Sequence, residues 1–110
     1  MADERQALAA EPVTDAGEYR LKDMCEMCGT NAEYVVELVE AGIIDVHGDT
    51  PAVWLFSSAA VMRSRKALRL QRDLEINMPG IAVALALLDE METLRTHVRS
   101  LTQQLEKLQR

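Results

Sequence analysis

The sequence contains two cysteines, Cys25 and Cys28, in a CxxC arrangement whose chemistry would be metal binding or thiol redox exchange. A structural zinc site takes four ligands, usually from two such pairs or from one pair with histidines at fixed spacing. A redox pair lies at a helix N-terminus, where the helix dipole lowers the thiol pKa, whereas Gly29 predicts that this pair closes a helix. We therefore predict that both cysteines pack in the core and that there is no metal site, with metal binding or redox sensing as the alternative.

The other residues that could support catalysis show no catalytic arrangement. His47 falls in a predicted turn, and His97 on the polar side of a predicted helix. Asp89, Glu90 and Glu92 are close in sequence, but helical spacing distributes them over an exposed face. The sequence shows no Ser-His-Asp order, glycine-rich phosphate loop or HExxH motif. We predict that the protein is not an enzyme, with no catalytic residues and no cofactor.

Carboxylates are concentrated in the segment 31–44, which stands where a helix-turn-helix protein has its recognition helix. This segment contains no Lys or Arg, and no basic residue occurs between Lys22 and Arg63. Five acidic residues in and beside it are predicted to form a partner-binding surface: Glu33, Glu37, Glu40, Asp45 and Asp49.

These charges argue against DNA recognition by the second helix. Affinity for nucleic acid comes mainly from Lys and Arg neutralising phosphates, and helices in the major groove read bases mainly with Arg, Lys, Asn and Gln. The net charge of −6 and the pI near 4.8 extend this argument to the whole chain. We expect a basic protein partner and no direct nucleic-acid binding.

A basic run follows the acidic region. It places five basic residues within ten positions with no acid among them: Arg63, Arg65, Lys66, Arg69 and Arg72. Two interpretations stay open for this run. It is either a solvated helix face with intramolecular partners among the acids, or a second interaction surface.

Hydrophobic spacing predicts two short helices joined by a turn. Aromatic residues make up only 4% of the chain and hydrophobic residues 48%, which favours helix packing over a β-sandwich. Apolar residues at i, i+3, i+4 and i+7 predict a first helix over about 21–28, ended by Gly29. The second helix is capped by Thr30 or Asn31 and stops at Gly42.

Two further helices are predicted after a small wing. Residues 43–44 and 53–56 have the composition of two short strands around a turn. A third helix begins after Ser57 or Ser58, and a fourth begins near Pro79, a residue well suited to a first helical turn.

The fourth helix carries a heptad pattern. Its apolar residues repeat with alternating gaps of 4 and 3 over three heptads, which is typical of a coiled coil. We call them the seam: Leu87, Met91, Leu94, Val98, Leu101, Leu105 and Leu108. A single helix exposing this seam would be marginally stable, so we predict a homodimer, with folding back onto the domain as the alternative.

The chain is expected to contain three parts. Residues 1–17 form a flexible acidic leader, residues 18–78 a winged helix-turn-helix domain, and residues 79–110 the long C-terminal helix. The N-terminal residues lack the basic and apolar regions of a signal peptide, which predicts a cytoplasmic protein with reduced cysteines.

Over about residues 18–100 the sequence resembles the MerR-like winged-helix class, and most closely its CbpM branch of bacterial chaperone modulators. The segments that carry the resemblance are Cys25–Gly29, Ala32–Glu40, Trp54–Ser57, Arg65–Leu74, Ile76–Asn77 and Gly80–Asp89. In MerR-like DNA readers an Arg-Tyr-Tyr run and a wing arginine contact DNA. Here the corresponding positions are Val36-Glu37-Leu38 and Trp54.

The resemblance implies a mainly α, MerR-like winged helix-turn-helix fold with a small two-stranded wing and a long C-terminal coiled-coil helix. It also implies a protein that binds the J-domain of a DnaJ-like co-chaperone of the CbpA type. By doing so it would inhibit the co-chaperone's stimulation of Hsp70. The co-chaperone's DNA-binding activity is a further target of this inhibition. The alternative is a dimeric MerR-like transcription regulator that binds DNA through the basic run.

Overall fold

The computed structural model describes residues 17–110, and this part of the chain is mainly helical, as the sequence predicts. The helices within it are α1 (Leu21–Cys28), α2 (Ala32–Glu40), α3 (Ser58–Leu74) and α4 (Met78–Gln109), with a short 3-10 turn at Pro51–Val53. The predicted flexible leader, residues 1–17, lies outside the described residues except for Gly17.

Side-chain caps explain where three of the helices begin. In each case an oxygen of the residue before the helix accepts the backbone N–H three positions later, which satisfies one unpaired donor of the first turn. The donor and acceptor pairs are Tyr34 to Asn31 (2.9 Å), Ala60 to Ser57 (3.1 Å) and Gly80 to Asn77 (2.9 Å). Gly29 ends α1 with a positive φ of 68°, a conformation that glycine adopts without strain.

The structure does not confirm the predicted two-stranded wing. Between residues 17 and 110 the β-contacts are two isolated antiparallel bridges, His47 with Leu55 and Tyr19 with Phe56. Residues 51–53 coil into the 3-10 turn because Pro51 has a fixed φ and no N–H to donate to a ladder. Residues 43–44, the predicted first strand, form a bend directly after α2 and are buried there.

The core lies where α1, α2 and α3 meet the first turns of α4. Its largest fully buried side chains are Phe56, Met24, Leu38, Ile81 and Leu85. Trp54 packs edge-on against Phe56 with ring centroids 5.9 Å apart, so the irregular segment before α3 closes over the helices. Although its β-structure is minimal, this segment still provides two aromatic side chains to the core.

The long helix α4 belongs to the domain only at its start. Ile81 and Leu85 are its buried residues, and every side chain from Ala86 to Arg110 is exposed. With 32 residues, the helix is about 48 Å long at 1.5 Å per residue. Most of it therefore projects beyond the packed domain.

The hydroxyl of Tyr34 is buried without a hydrogen-bond partner among the described residues. Burial raises the pKa of Tyr34, and the nearby carboxylate of Glu37 raises it further. An unpaired buried donor carries an uncompensated desolvation cost.

We expect Tyr34→Phe to raise the free energy of unfolding by about 1 kcal/mol, measured by urea denaturation, with the half-buried Tyr19→Phe as the control. A clear loss of stability in Tyr34→Phe would mean that the hydroxyl has a partner.

Candidate protein-interaction surfaces

Helix α2 presents three carboxylates on one face. Glu33, Glu37 and Glu40 recur at helical spacing and are all exposed. The opposite face, formed by Tyr34, Val35 and Leu38, is buried in the core and fixes the rotation of the helix. The packing of α2 therefore turns the three predicted glutamates towards solvent together.

The three glutamates line one side of a shallow groove of about 570 Å³. Its other lining residues come from three separate elements and are apolar: Leu21 of α1, Ala32 and Val36 of α2, and Pro51 of the 3-10 turn. Sequence reasoning missed these four residues. Val36 could have indicated an apolar patch beside the glutamates, because helical spacing places it near them and away from the predicted buried face of α2.

The remaining two predicted acids are not part of this groove. Asp45 lines a different cavity of about 290 Å³, together with Arg63 and residues at the start of α3. Asp49 is exposed in the bend that precedes Pro51. Of the five predicted residues, the three glutamates thus line one groove, and the two aspartates are exposed outside its lining.

Two residues of the basic run are used inside the domain. Arg63 donates from Nε to the carbonyl of Ile43 at 2.6 Å and lies 3.0 Å from the carboxylate of Asp89. Arg65 donates to the carbonyl of Met27 near the C-terminal end of α1, at 3.1 Å from Nη2. Arg63 thus ties α3 both to the bend after α2 and to α4, and Arg65 ties α3 to α1.

The remaining basic residues of the run, Lys66, Arg69 and Arg72, are exposed on α3. The acids of α4 are partly engaged as well, since Asp89 pairs with Arg63 and Glu92 lies 3.6 Å from Arg99. Intramolecular contacts therefore account for Arg63 and Arg65, and the other three basic residues of the run are exposed on α3.

The CxxC pair lies at the C-terminal end of α1. Both cysteines are half-buried and form no disulfide, and the thiol of Cys28 is 3.9 Å from the carbonyl oxygen of Val61. Desolvation raises the pKa of each thiol, with Glu26 adding to the effect at Cys25 and Arg65 opposing it at Cys28. Within residues 17–110 no group of three or more His, Cys, Asp or Glu side chains is arranged to hold a metal ion.

The raised thiol pKa values predict slow alkylation. At pH 8, Cys25 and Cys28 should react with iodoacetamide more slowly than free cysteine, because less thiolate is present. Each thiol pKa is higher in the folded protein than in the unfolded chain. The thiols' contribution to the free energy of unfolding is therefore present below the unfolded pKa and is lost as the pH rises through the folded pKa. Mass spectrometry of timed alkylation measures the reaction rate of each thiol, with the urea-unfolded protein as control. Rates as fast as in the unfolded chain would contradict it.

The seam on α4 is exposed along its whole length. The exposed fractions of its side chains range from 44% at Met91 to 82% at Leu108. This arrangement differs from the alternative of a helix folded back onto the domain, which would bury the seam.

None of the described helices is long and apolar enough to cross a membrane.

Comparison with known proteins finds one consistent set of relatives. The MerR HTH family regulatory proteins match residues 19–103. A chaperone modulatory protein CbpM of Pseudomonas putida (strain W619) is 40% identical over 85 residues, which cover 77% of this chain and 84% of the relative. CbpM of Pseudomonas entomophila (strain L48) is 35% identical with the same coverage. CbpM of Coxiella burnetii (strain Dugway 5J108-111) is 38% identical over 82 residues, 74% of this chain and 77% of the relative.

Proposed function

Because this chain belongs to the MerR HTH family of regulatory proteins and, within it, to the CbpM family of chaperone modulatory proteins, we propose that it binds the J-domain of a DnaJ-like co-chaperone. The co-chaperone is of the CbpA type, and binding prevents its J-domain from stimulating Hsp70. The chain acts by occupying a surface of its partner in the bacterial cytoplasm and carries out no chemistry of its own.

The cluster of carboxylates on α2 is the observation that supports this proposal most directly. Glu33, Glu37 and Glu40 lie together on an exposed face, and J-domains resemble one another in presenting a basic helix to Hsp70. Opposite charges across an interface steer association and fix the register of the partners. A modulator that covers the basic helix competes directly with Hsp70 for it.

The same charges argue against the alternative, a DNA-binding transcription regulator. The position of a recognition helix is taken by α2, whose exposed face would be repelled by phosphates. Two of the five basic residues in the run, Arg63 and Arg65, already donate to backbone carbonyls of the domain.

The proposed assembly is a homodimer paired through α4. The seam from Leu87 to Leu108 leaves large apolar side chains in water along about 32 Å of helix, at 1.5 Å per residue. Pairing with a second copy would bury both seams by knobs-into-holes packing. In this arrangement each copy keeps its α2 face free for a J-domain.

Calorimetric titration of the full chain against the isolated J-domain of a CbpA-type co-chaperone, in moderate salt, tests the proposal. We expect saturable binding near one J-domain per chain. The same complex should suppress J-domain stimulation of Hsp70 ATPase activity in proportion to occupancy. The absence of both heat and a complex on gel filtration would reject J-domain binding. Salt-sensitive DNA binding that requires Lys66 and Arg69 would favour the regulator instead.

A further inference from the structure

The groove beside α2 has an apolar floor. Leu21 and Val36 are partly buried and pack against the core with their inner surfaces, so their outer surfaces form a rigid base for the groove. Val36 lies on the same helical face as Glu33, Glu37 and Glu40. The glutamates therefore lie along one side of an apolar strip, which a partner making only charge contacts would leave in water.

The apolar strip continues past α2 to the start of α1. A second groove, of about 390 Å³, shares Leu21, Ala32 and Pro51 with the first one and is lined at its other end by Arg20 and Lys22. The combined groove is thus acidic along α2 and basic at the start of α1. This polarity gives a bound partner a preferred direction.

We propose that this combined groove docks one amphipathic helix of the protein partner. The apolar stripe of that helix lies on Leu21, Val36 and Pro51. Its basic side chains face the α2 glutamates, and acidic or neutral side chains lie near Arg20 and Lys22. This inference rests on the proposed function and adds to it the apolar anchor and the direction of the bound helix.

A helix fits this groove better than an extended strand does. Strand addition needs an exposed sheet edge, and the described residues contain only isolated bridges. The glutamates from Glu33 to Glu40 span about 10.5 Å along α2 at 1.5 Å per residue. This is about two turns of a partner helix, whose side chains at i, i+3, i+4 and i+7 would lie along the apolar strip.

Two synthetic stapled helical peptides of equal composition test the groove without the co-chaperone. The first carries an apolar stripe at i, i+3, i+4 and i+7, flanked by lysines in one half and glutamates in the other. The second has the same residues with the stripe broken around the helix. We expect the full-length protein to bind the first peptide at least about ten-fold more tightly than the second in fluorescence anisotropy. Calorimetry at several temperatures should show a negative heat-capacity change for the first peptide, because apolar surface is buried. Equal affinities, or no binding of either peptide, would overturn the proposal.

Val36→Thr tests the floor against the J-domain itself. It replaces one methyl group with a hydroxyl at nearly constant volume, and we expect about ten-fold weaker binding. Val83→Thr makes the same change at an exposed helical valine outside both grooves and should leave affinity unchanged. Thermal unfolding of each variant checks that the domain is intact.

The two sets of measurements separate the groove from the function. If the unmodified protein binds no J-domain, the proposed function fails, while the peptide pair still decides whether the groove accepts an amphipathic helix. If the J-domain binds Val36→Thr as tightly as it binds the unmodified protein, the apolar anchor is wrong although the function stands.

Discussion

Reversing two charges on α2, Glu33→Lys with Glu37→Lys, is expected to weaken J-domain binding by about 1–3 kcal/mol, a loss of roughly five- to 150-fold in affinity. Both carboxylates are exposed on the rim of the groove, so the substitutions leave the buried face of α2 untouched. Each change removes an attraction and introduces a repulsion against a basic partner helix. Calorimetry gives the affinity, and stopped-flow association at two salt concentrations shows whether the loss includes steering.

The matched control is Glu90→Lys with Glu92→Lys on α4, which alters the net charge by the same amount. It leaves the contact between Arg63 and Asp89 in place and loses only the exposed pair of Glu92 with Arg99. We expect this variant to bind nearly as well as the unmodified protein. Full affinity in the α2 variant would reject that face as the docking site. Loss of binding in the α4 variant alone would move the site to α4.

Leu94→Lys with Leu101→Lys is expected to convert the proposed dimer to a monomer. A symmetric pairing buries these leucines from both copies, four side chains at about 1.5 kcal/mol each. Losing roughly 6 kcal/mol raises the dimer dissociation constant by about four orders of magnitude. Sedimentation equilibrium over a range of concentrations measures the change directly, and circular dichroism should show lost helicity where the unpaired helix frays.

The control for the seam places the same charges on another face of the same helix. Thr93→Lys with Ser100→Lys keeps the seven-residue spacing and changes two exposed residues outside the seam. We expect this variant to stay dimeric. An interface worth about 6 kcal/mol or more is largely formed at a protein concentration of about 100 µM. If the unmodified protein sediments as a monomer at that concentration, the seam is not a dimer interface.

Features determined by short stretches of sequence were predictable. Asn31 and Ser57 were among the predicted caps, and each accepts the backbone N–H three residues later. Gly29 ends α1 because glycine alone adopts its positive φ without strain. The seam on α4 has the same origin, since a 3.5-residue repeat places its members on one side of any helix that contains them. In all of these cases the interacting groups lie within one or two turns of each other.

The contacts that create the candidate site depend on residues far apart in the chain. Leu21, Val36 and Pro51 form one floor only because α1, α2 and the 3-10 turn pack together. Asp45 was grouped with the glutamates by charge, yet it lines a different cavity, to which Arg63 also contributes. The predicted wing is not confirmed, because its segment contains isolated bridges and a 3-10 turn and its aromatic side chains are held by the core.

The sequence by itself determined the helices, their caps, the exposed seam and the acidity of α2, because spacing and local hydrogen bonding suffice to specify them. Only the tertiary structure decided which carboxylates share a surface, which arginines are bound within the domain, and that an apolar strip runs between charges of opposite sign. These outcomes depend on how whole elements pack and on which backbone carbonyls come within reach of a side chain. A periodic pattern carries neither kind of information.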